Sequence, residues 1–270
     1  MMSLPFTTLT SLPASFAITR PTGADVDTIC EIYYESFKLD LGNTFWWPAD
    51  KESMFEWMRT RIRRKMADRR VRHFQVIDTE KNVTVAFARW DIPGGYEAQF
   101  GEWVGPGPDG AVDVSGLVEQ EEEKAGSEDD DALASTVTVA QVEEIKPEDV
   151  KKVQLPRGAD PSLCLGFFNF LAEVSERWQA ESMLGLSLLG TAPKYHRRGA
   201  AKALLEPMFA IADKAGLRSY LEATPTGRPI YEKMGFKTVE TKDFDLDALT
   251  GGKINGIFTL FIMIREPQQP

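Results

Sequence analysis

The sequence predicts a mixed α/β (α+β) fold: a central, mostly antiparallel sheet flanked by helices and interrupted by a long acidic insertion. Three observations predict it. Through the last third of the chain, apolar strand patterns alternate with helical ones, the order that packs helices onto a sheet. A strand, two amphipathic helices and a hairpin pattern occupy the first ninety residues. Between these halves the charge changes character. Residues 97–149 hold 16 acidic side chains against Lys124 and Lys146, whereas the rest of the 270-residue chain holds 29 basic and 25 acidic ones. The pI near 4.9 therefore belongs to one segment, and the remainder is mildly basic. A chain of this length buries roughly 70–75% of its unfolded surface, so it can build a core without disulfides or metal.

Taken in order, residues 1–15 read as a loose leader to a single domain spanning 16–270. Phe16 to Arg20 forms a short strand closed by Pro21-Thr22-Gly23. A helix from Ala24 to Phe37 follows, with Val26, Ile29, Cys30 and Tyr33 at i, i+3, i+4 and i+7. A second helix, Lys51 to Asp68, carries Phe55, Met58 and Ile62 inward and an Arg/Lys-rich outer face. His73–Ile77 and Val83–Trp90 are strands, joined at a spacing that suits a hairpin. From 93 to 161 the pattern dissolves into Gly/Pro clusters and an acidic run at 119–131, which reads as an insertion, in large part mobile. Order resumes with a helix from Leu165 to Glu181, an apolar strand from Met183 to Leu189 and a helix from Gly199 to Ala215. A strand at Ser219–Glu222, a short helix at Pro229–Met234, and strands at Thr238–Glu240 and Ile257–Ile264 complete the chain.

The chemistry concentrates where the apolar strand runs into the next helix, Leu184 to Ala201. The first N–H groups of a helix have no internal partner, and with the dipole behind them they form an anion site. Gly199, Ala200 and Ala201 keep side chains clear, while Arg197, Arg198 and Lys202 add positive charge. A phosphate-bearing cofactor needs this arrangement; a basic turn before a solvated helix has the same letters.

The run His196-Arg197-Arg198-Gly199-Ala200-Ala201 resembles the coenzyme A-binding motif of the GNAT superfamily of N-acetyltransferases, Gln/Arg-x-x-Gly-x-Gly/Ala, with His196 departing from the usual Gln or Arg. About thirty residues on, Tyr220 to Phe236 is similar to the family's second hallmark, a strand and then a helix ending Tyr-x-x-x-Gly-Phe. Ile18-Thr19-Arg20-Pro21 matches the family's start more loosely, and the style of both motifs is closest to the puromycin-acetyltransferase-like branch and its fungal relatives. The resemblance implies the GNAT fold and acetyl-CoA as cosubstrate, with no metal. It implies that the strand ending at Leu189 splays from its neighbour. The backbone of Leu189, Gly190 and Thr191 would then meet the pantetheine arm, and residues from His196 to Lys202 the pyrophosphate. Tyr231 takes the position of a general acid, or packs its ring beside Phe236. Glu222, at the end of a strand, is either the general base or a salt-bridge or cap residue. Phe37, Phe45, Trp46 and Trp47 fall where the family builds its acceptor site; they wall a pocket for an amine or pack a loop onto the sheet. The acidic insertion steers cationic acceptors or serves as a solvated loop.

The acidic balance excludes a dedicated nucleic-acid binder, which needs a basic face. No stretch reaches the roughly 18–20 apolar residues of a membrane span. Two cysteines, Cys30 and Cys164, in apolar surroundings point to buried thiols and a cytoplasmic location. Gly105-Pro106-Gly107-Pro108-Asp109-Gly110 matches a dinucleotide fingerprint only in letters, since two prolines fall within it and no helix follows. His73 and His196 are the only histidines, too few for a His-rich zinc site. No Gly-x-Ser-x-Gly elbow is present. The expected activity is acetyl transfer to a small-molecule amine by direct attack in a ternary complex, in a monomer or homodimer. A protein lysine or N-terminal acetyltransferase and a non-catalytic CoA-binding regulatory module are the alternatives.

Overall fold

Thr22 and Asp25 start the first helix by capping each other's backbone: the Thr22 amide donates to Asp25 at 2.7 Å, and the Thr22 hydroxyl accepts from Ala24 at 3.3 Å. The computed structural model describes residues 4–7, 12–44, 47, 50–103, 105 and 155–268. After β1 (Phe16–Thr19) and a 3₁₀ turn (Gly23–Asp25), α1 spans Val26–Phe37. A short α2 (Leu41–Thr44), which the sequence pattern did not show, leads to α3 (Lys51–Ala67), whose N-terminal amides are capped by Asp50. Strands β2 (Val71–Asp78) and β3 (Val83–Asp91) form the expected hairpin. Beyond the insertion come α4 (Pro161–Arg177), β4 (Leu184–Thr191), α5 (Ala200–Lys214), β5 (Ser219–Ala223), α6 (Arg228–Lys233), β6 (Lys237–Asp245), α7 (Leu246–Thr250) and β7 (Ile257–Arg265). Pro207 sits buried within α5 without ending it.

The seven strands form one sheet in the order β1-β2-β3-β4-β5-β7-β6, with every pairing antiparallel except β4 with β5. That pairing covers only Leu184↔Ser219 and Gly185↔Tyr220. The cause lies on the other side of β4. Opposite β3 the register slips between Arg89 and Trp90, which face Leu188 and Leu186, so Ser187 is an extra residue. A bulge bends its strand. From Leu186 onward β4 turns away from β5, and its backbone on that side has no strand partner.

Helices cover both faces. On one, Leu204, Leu205 and Met208 of α5 are buried with Phe74, Val85 and Trp90. Each such side chain contributes roughly 1.5–3 kcal/mol by leaving water. On the other, Ile29 and Tyr33 of α1 and Met54, Met58 and Ile62 of α3 pack on Phe87, while Val174 of α4 packs on Tyr220 and Ile262. Arg265 of β7 grips both oxygens of Asp213 on α5, at 2.6 and 2.8 Å, and so fastens the end of that strand to the helix.

Two expectations on organisation are corrected. The leader is not loose where it is described: the Phe6 ring lies 5.2 Å from Phe74, and Leu4, Phe6 and Leu12 pack on the core. The flank of the insertion at 93–103 belongs to the fold. Phe100 is fully buried, the Arg72 Nε donates to the Gly101 carbonyl at 2.9 Å, and the Trp103 indole donates to the Met66 carbonyl at 3.2 Å. One aromatic anchor and two backbone contacts hold a segment whose composition reads as loop. Helix α4 also begins earlier than the spacing suggests, because Asp160 caps it and Pro161 occupies its first position. The acidic run at 119–131 lies outside the described residues.

Candidate functional site

The divergence of β4 from β5 opens a cavity of about 750 Å³ that reaches both faces of the sheet. At one end stands the start of α5. Gly199 occupies its cap position in the left-handed region, φ 85°, which an L side chain adopts only with strain. Arg197, at φ 62°, also lies there. No side chain caps this terminus, and a Cβ at Gly199 would meet nothing within 4 Å. The glycine is thus required by the backbone's hand, and open space lies above it. The amides of Ala200, Ala201 and Lys202 have no intrahelical acceptor, which makes this end of the cavity an anion cradle.

The residues singled out in the loop take different positions. Arg197, Gly199, Ala200, Ala201 and Lys202 line the cavity. Lys202 also pairs with Glu206 at 3.4 Å. Arg198 instead lies over the Tyr195 ring, 5.2 Å from its centre, and does not line the cavity. His196 turns its Nε2 onto the Thr191 carbonyl at 2.9 Å, and the Ser36 hydroxyl donates to the same oxygen at 3.1 Å. Thr191 therefore anchors the loop to the strand end, and both lone pairs of its carbonyl are engaged within the protein. Leu189 and Gly190 remain as the strand-edge residues next to the cradle. At Gly190 a side chain has no room, because a Cβ would come within 2.7 Å of the Phe87 ring.

Tyr231 of α6 lines the same cavity and is 9% exposed, its ring packed at 6.0 Å from Phe236. Burial alone pushes its phenol upward, so it holds its proton throughout the neutral range. Its hydroxyl makes no hydrogen bond to another described residue. The two readings of this tyrosine coexist: the ring is core, and the hydroxyl is left over for the cavity.

Glu222 of β5 borders the cavity from the face covered by α3 and α4. Burial pushes its carboxyl up to about 7, with the charge of Asp91 adding to the shift, while the Tyr220 hydroxyl and a backbone amide act the other way. A carboxyl half-ionised at neutral pH, facing a cavity, is poised to accept a proton. No salt bridge or helix cap engages it among the described residues.

On the acceptor side Phe37 lines the cavity, with Tyr33, Trp57, Phe167 and Phe168 forming further wall. Trp47 does not line it: its ring stacks on Tyr34 at 5.9 Å and lies 5.2 Å from Tyr33, so it packs the loop onto α1. Phe45 and Trp46 lie outside the described residues. Four polar groups here escaped the sequence reading. Asp40, its carboxyl pushed up by burial against a 2.8 Å hydrogen bond from the Gly42 amide, borders the cavity beside Thr224. Arg61, Arg89 and Ser187 line it below α3. The available signal was a charged pair, Arg89 and Asp91, alternating with core residues in an otherwise apolar strand. Among the described residues no cluster of His, Cys, Asp or Glu is placed to hold a metal, and no helix is long and apolar enough to cross a membrane.

Residues 173–247, from the end of α4 into α7, match the acetyltransferase (GNAT) domain family. An uncharacterized N-acetyltransferase of Schizosaccharomyces pombe is 37% identical over 84 residues, which are 31% of this chain and 31% of that protein. The match thus spans less than a third of the relative's length. Among solved structures, a Corynebacterium glutamicum protein described as histone acetyltransferase HPA2 and related acetyltransferase aligns at 17% identity with a TM-score of 0.52, covering 95% of this chain and 98% of that one. Arylalkylamine N-acetyltransferase 2 of Aedes aegypti aligns at 12% identity and a TM-score of 0.51, covering 94% and 100%. The fold is that of the GNAT acetyltransferases.

Proposed function

We propose that this chain, which carries a GNAT acetyltransferase domain, transfers an acetyl group from acetyl-CoA to the amine of a small molecule. One observation carries the reading: an uncapped helix start, a phenol free of partners and a carboxyl shifted to about 7 line one cavity at the point where β4 leaves β5. The residues fit the cosubstrate. The amides after Gly199, with Arg197 and Lys202 beside them, would hold the diphosphate, and the unpaired edge of β4 at Leu189 and Gly190 would hold an amide-bearing arm. Bound there, acetyl-CoA supplies an activated acetyl thioester.

Glu222 takes the proton from the incoming amine, and the Tyr231 hydroxyl supplies one to the departing sulfur. Attack is direct. Both thiols are buried and pushed up, Cys30 to about 12 and Cys164 to about 11, and neither lines the cavity, so neither is suited to carry an acyl group. The acceptor wall among the described residues is largely aromatic, with Arg61 and Arg89 as well as Asp40 and Glu222, which favours a metabolite-sized acceptor over a cationic peptide. The same reduced thiols fit a cytoplasmic setting.

A thiol-release assay over an amine panel tests the reading. Coenzyme A release that needs both acetyl-CoA and an amine is the expected result. A rise in Tm with acetyl-CoA but no release with any amine would replace the enzyme with a binding module.

A further inference from the structure

Under α3 the sheet carries charge where a covered face is ordinarily apolar. Arg61 and Lys65 turn inward from the helix toward Arg89 and Asp91 of β3, with His73 of β2 beside them. Most of this charge is accounted for. Lys65, 3% exposed, lies 3.8 Å from Asp68 and 3.6 Å from Asp91. His73 is neutral, since burial holds its pKa down to about 3. Three cations, Arg61, Lys65 and Arg89, thus face two carboxylates, Asp68 and Asp91.

The surplus resides on the two arginines. Arg89 is 3% exposed and uses its Nε on Ser187 at 2.8 Å; its terminal nitrogens make no hydrogen bond to another described residue. Arg61 rests on the rings of Trp57 and Phe168, 5.0 and 5.6 Å from their centres, and makes no hydrogen bond to a described residue. Among the described residues no carboxylate lies within 4.0 Å of either guanidinium. Arg61 is half-buried and Arg89 buried; such charges are ordinarily paired, and a forked donor without a carboxylate partner suits a ligand's carboxylate. Both arginines line the large cavity and also a side chamber of about 150 Å³ that shares several of its wall residues, where Arg70, Asp91, Glu181 and Glu222 stand with them. The large cavity thus brings Glu222 and the two guanidinium groups together beneath α3, with Asp40 elsewhere in its wall.

We infer that the acceptor is an amine bearing a carboxylate, an amino-acid-like molecule whose acid group is held by Arg61 and Arg89 and whose apolar body lies along Trp57 and Phe168. The inference rests on the acetyltransferase reading and specifies its substrate. Arg61 and Arg89 act as specificity-determining residues: they fix the acid end, which leaves the amine end for Glu222.

Matched acceptors test it on the full chain: 5-aminopentanoate against pentylamine, and phenylalanine against 2-phenylethylamine. The acid of each pair is expected to give a kcat/KM roughly tenfold or more above that of its partner, as loss of a charge-assisted hydrogen bond implies. Arg61→Gln and Arg89→Gln should each erase that preference, chiefly through KM. Titration of the unaltered protein with phenylacetate and with phenylacetamide requires no variant to fold, and the acid should bind at least about tenfold more tightly. Equal handling of acid and neutral partners overturns the inference and leaves acetyl transfer standing. If acetyl-CoA fails to raise Tm and no amine is acetylated, the acetyltransferase reading falls, and this acceptor assignment with it.

Discussion

The Nε of Arg89 donates to the Ser187 hydroxyl at 2.8 Å, and the same hydroxyl donates back to the Arg89 carbonyl at 3.3 Å, so one side chain closes the bulge that bends β4. The polar group that shapes the strand also orients a guanidinium inside the cavity. Ser187→Ala leaves the Arg89 Nε buried without a partner, at a cost of about 1–3 kcal/mol. Thermal melting should show the drop. A variant as stable as the parent would mean that the bulge holds without this contact.

Glu222→Gln should lower kcat/KM by roughly 10²–10⁴ and flatten its pH dependence. The sign follows from the carboxyl's value of about 7. A raised pKa means that the base is protonated and idle below about 7 and ionised above it, so activity in the parent falls as pH drops through that value. A variant with the parent's acidic limb would remove Glu222 from proton transfer.

Gly199→Glu places a carboxylate where the α5 amides converge and forces an L residue to φ 85°. The strain costs about 1–2 kcal/mol, and the charge repels a diphosphate. The protein should fold with a somewhat lower Tm and show no further rise on adding acetyl-CoA. An undiminished rise would show that the cofactor binds elsewhere.

Tyr231→Phe keeps the ring that packs on Phe236 and removes only the hydroxyl. Turnover should fall by roughly 10²-fold or more while the acetyl-CoA Kd stays within about twofold, because the proton is needed only as the thiolate departs. Unchanged turnover would reduce Tyr231 to a core residue.

Much of this architecture is legible in the residue pattern. The strand, turn and small-residue helix start from Leu184 to Ala201 carry the cradle in their own order, because a helix N-terminus is a local feature. Tyr231 is singled out by the resemblance of the Tyr220–Phe236 stretch to a family hallmark, and Glu222 by its place at a strand end; both border the cavity. Elements shaped by distant neighbours are not legible. Strand β6 runs for nine residues rather than three, because an edge strand carries charged, half-exposed side chains and shows no apolar alternation. Helix α7 is five residues long, capped by Asp245 and ended by Gly251, too short for any period. Arg61 and Lys65 read as part of a solvated outer face, since helical spacing identifies the apolar stripe and cannot tell that the residues beside it are also covered. Only the approach of β3 and α4 encloses them.

For the proposed reaction, a cavity with walls on both faces of the sheet at the β4–β5 parting would give the two reactants separate doors. Spent coenzyme would then depart past α5 and an acetylated product beneath α1 and α4, neither blocking the other's route. Acceptor mimics and coenzyme mimics should then inhibit without displacing one another, a kinetic independence written by one surplus residue, Ser187, in a single strand.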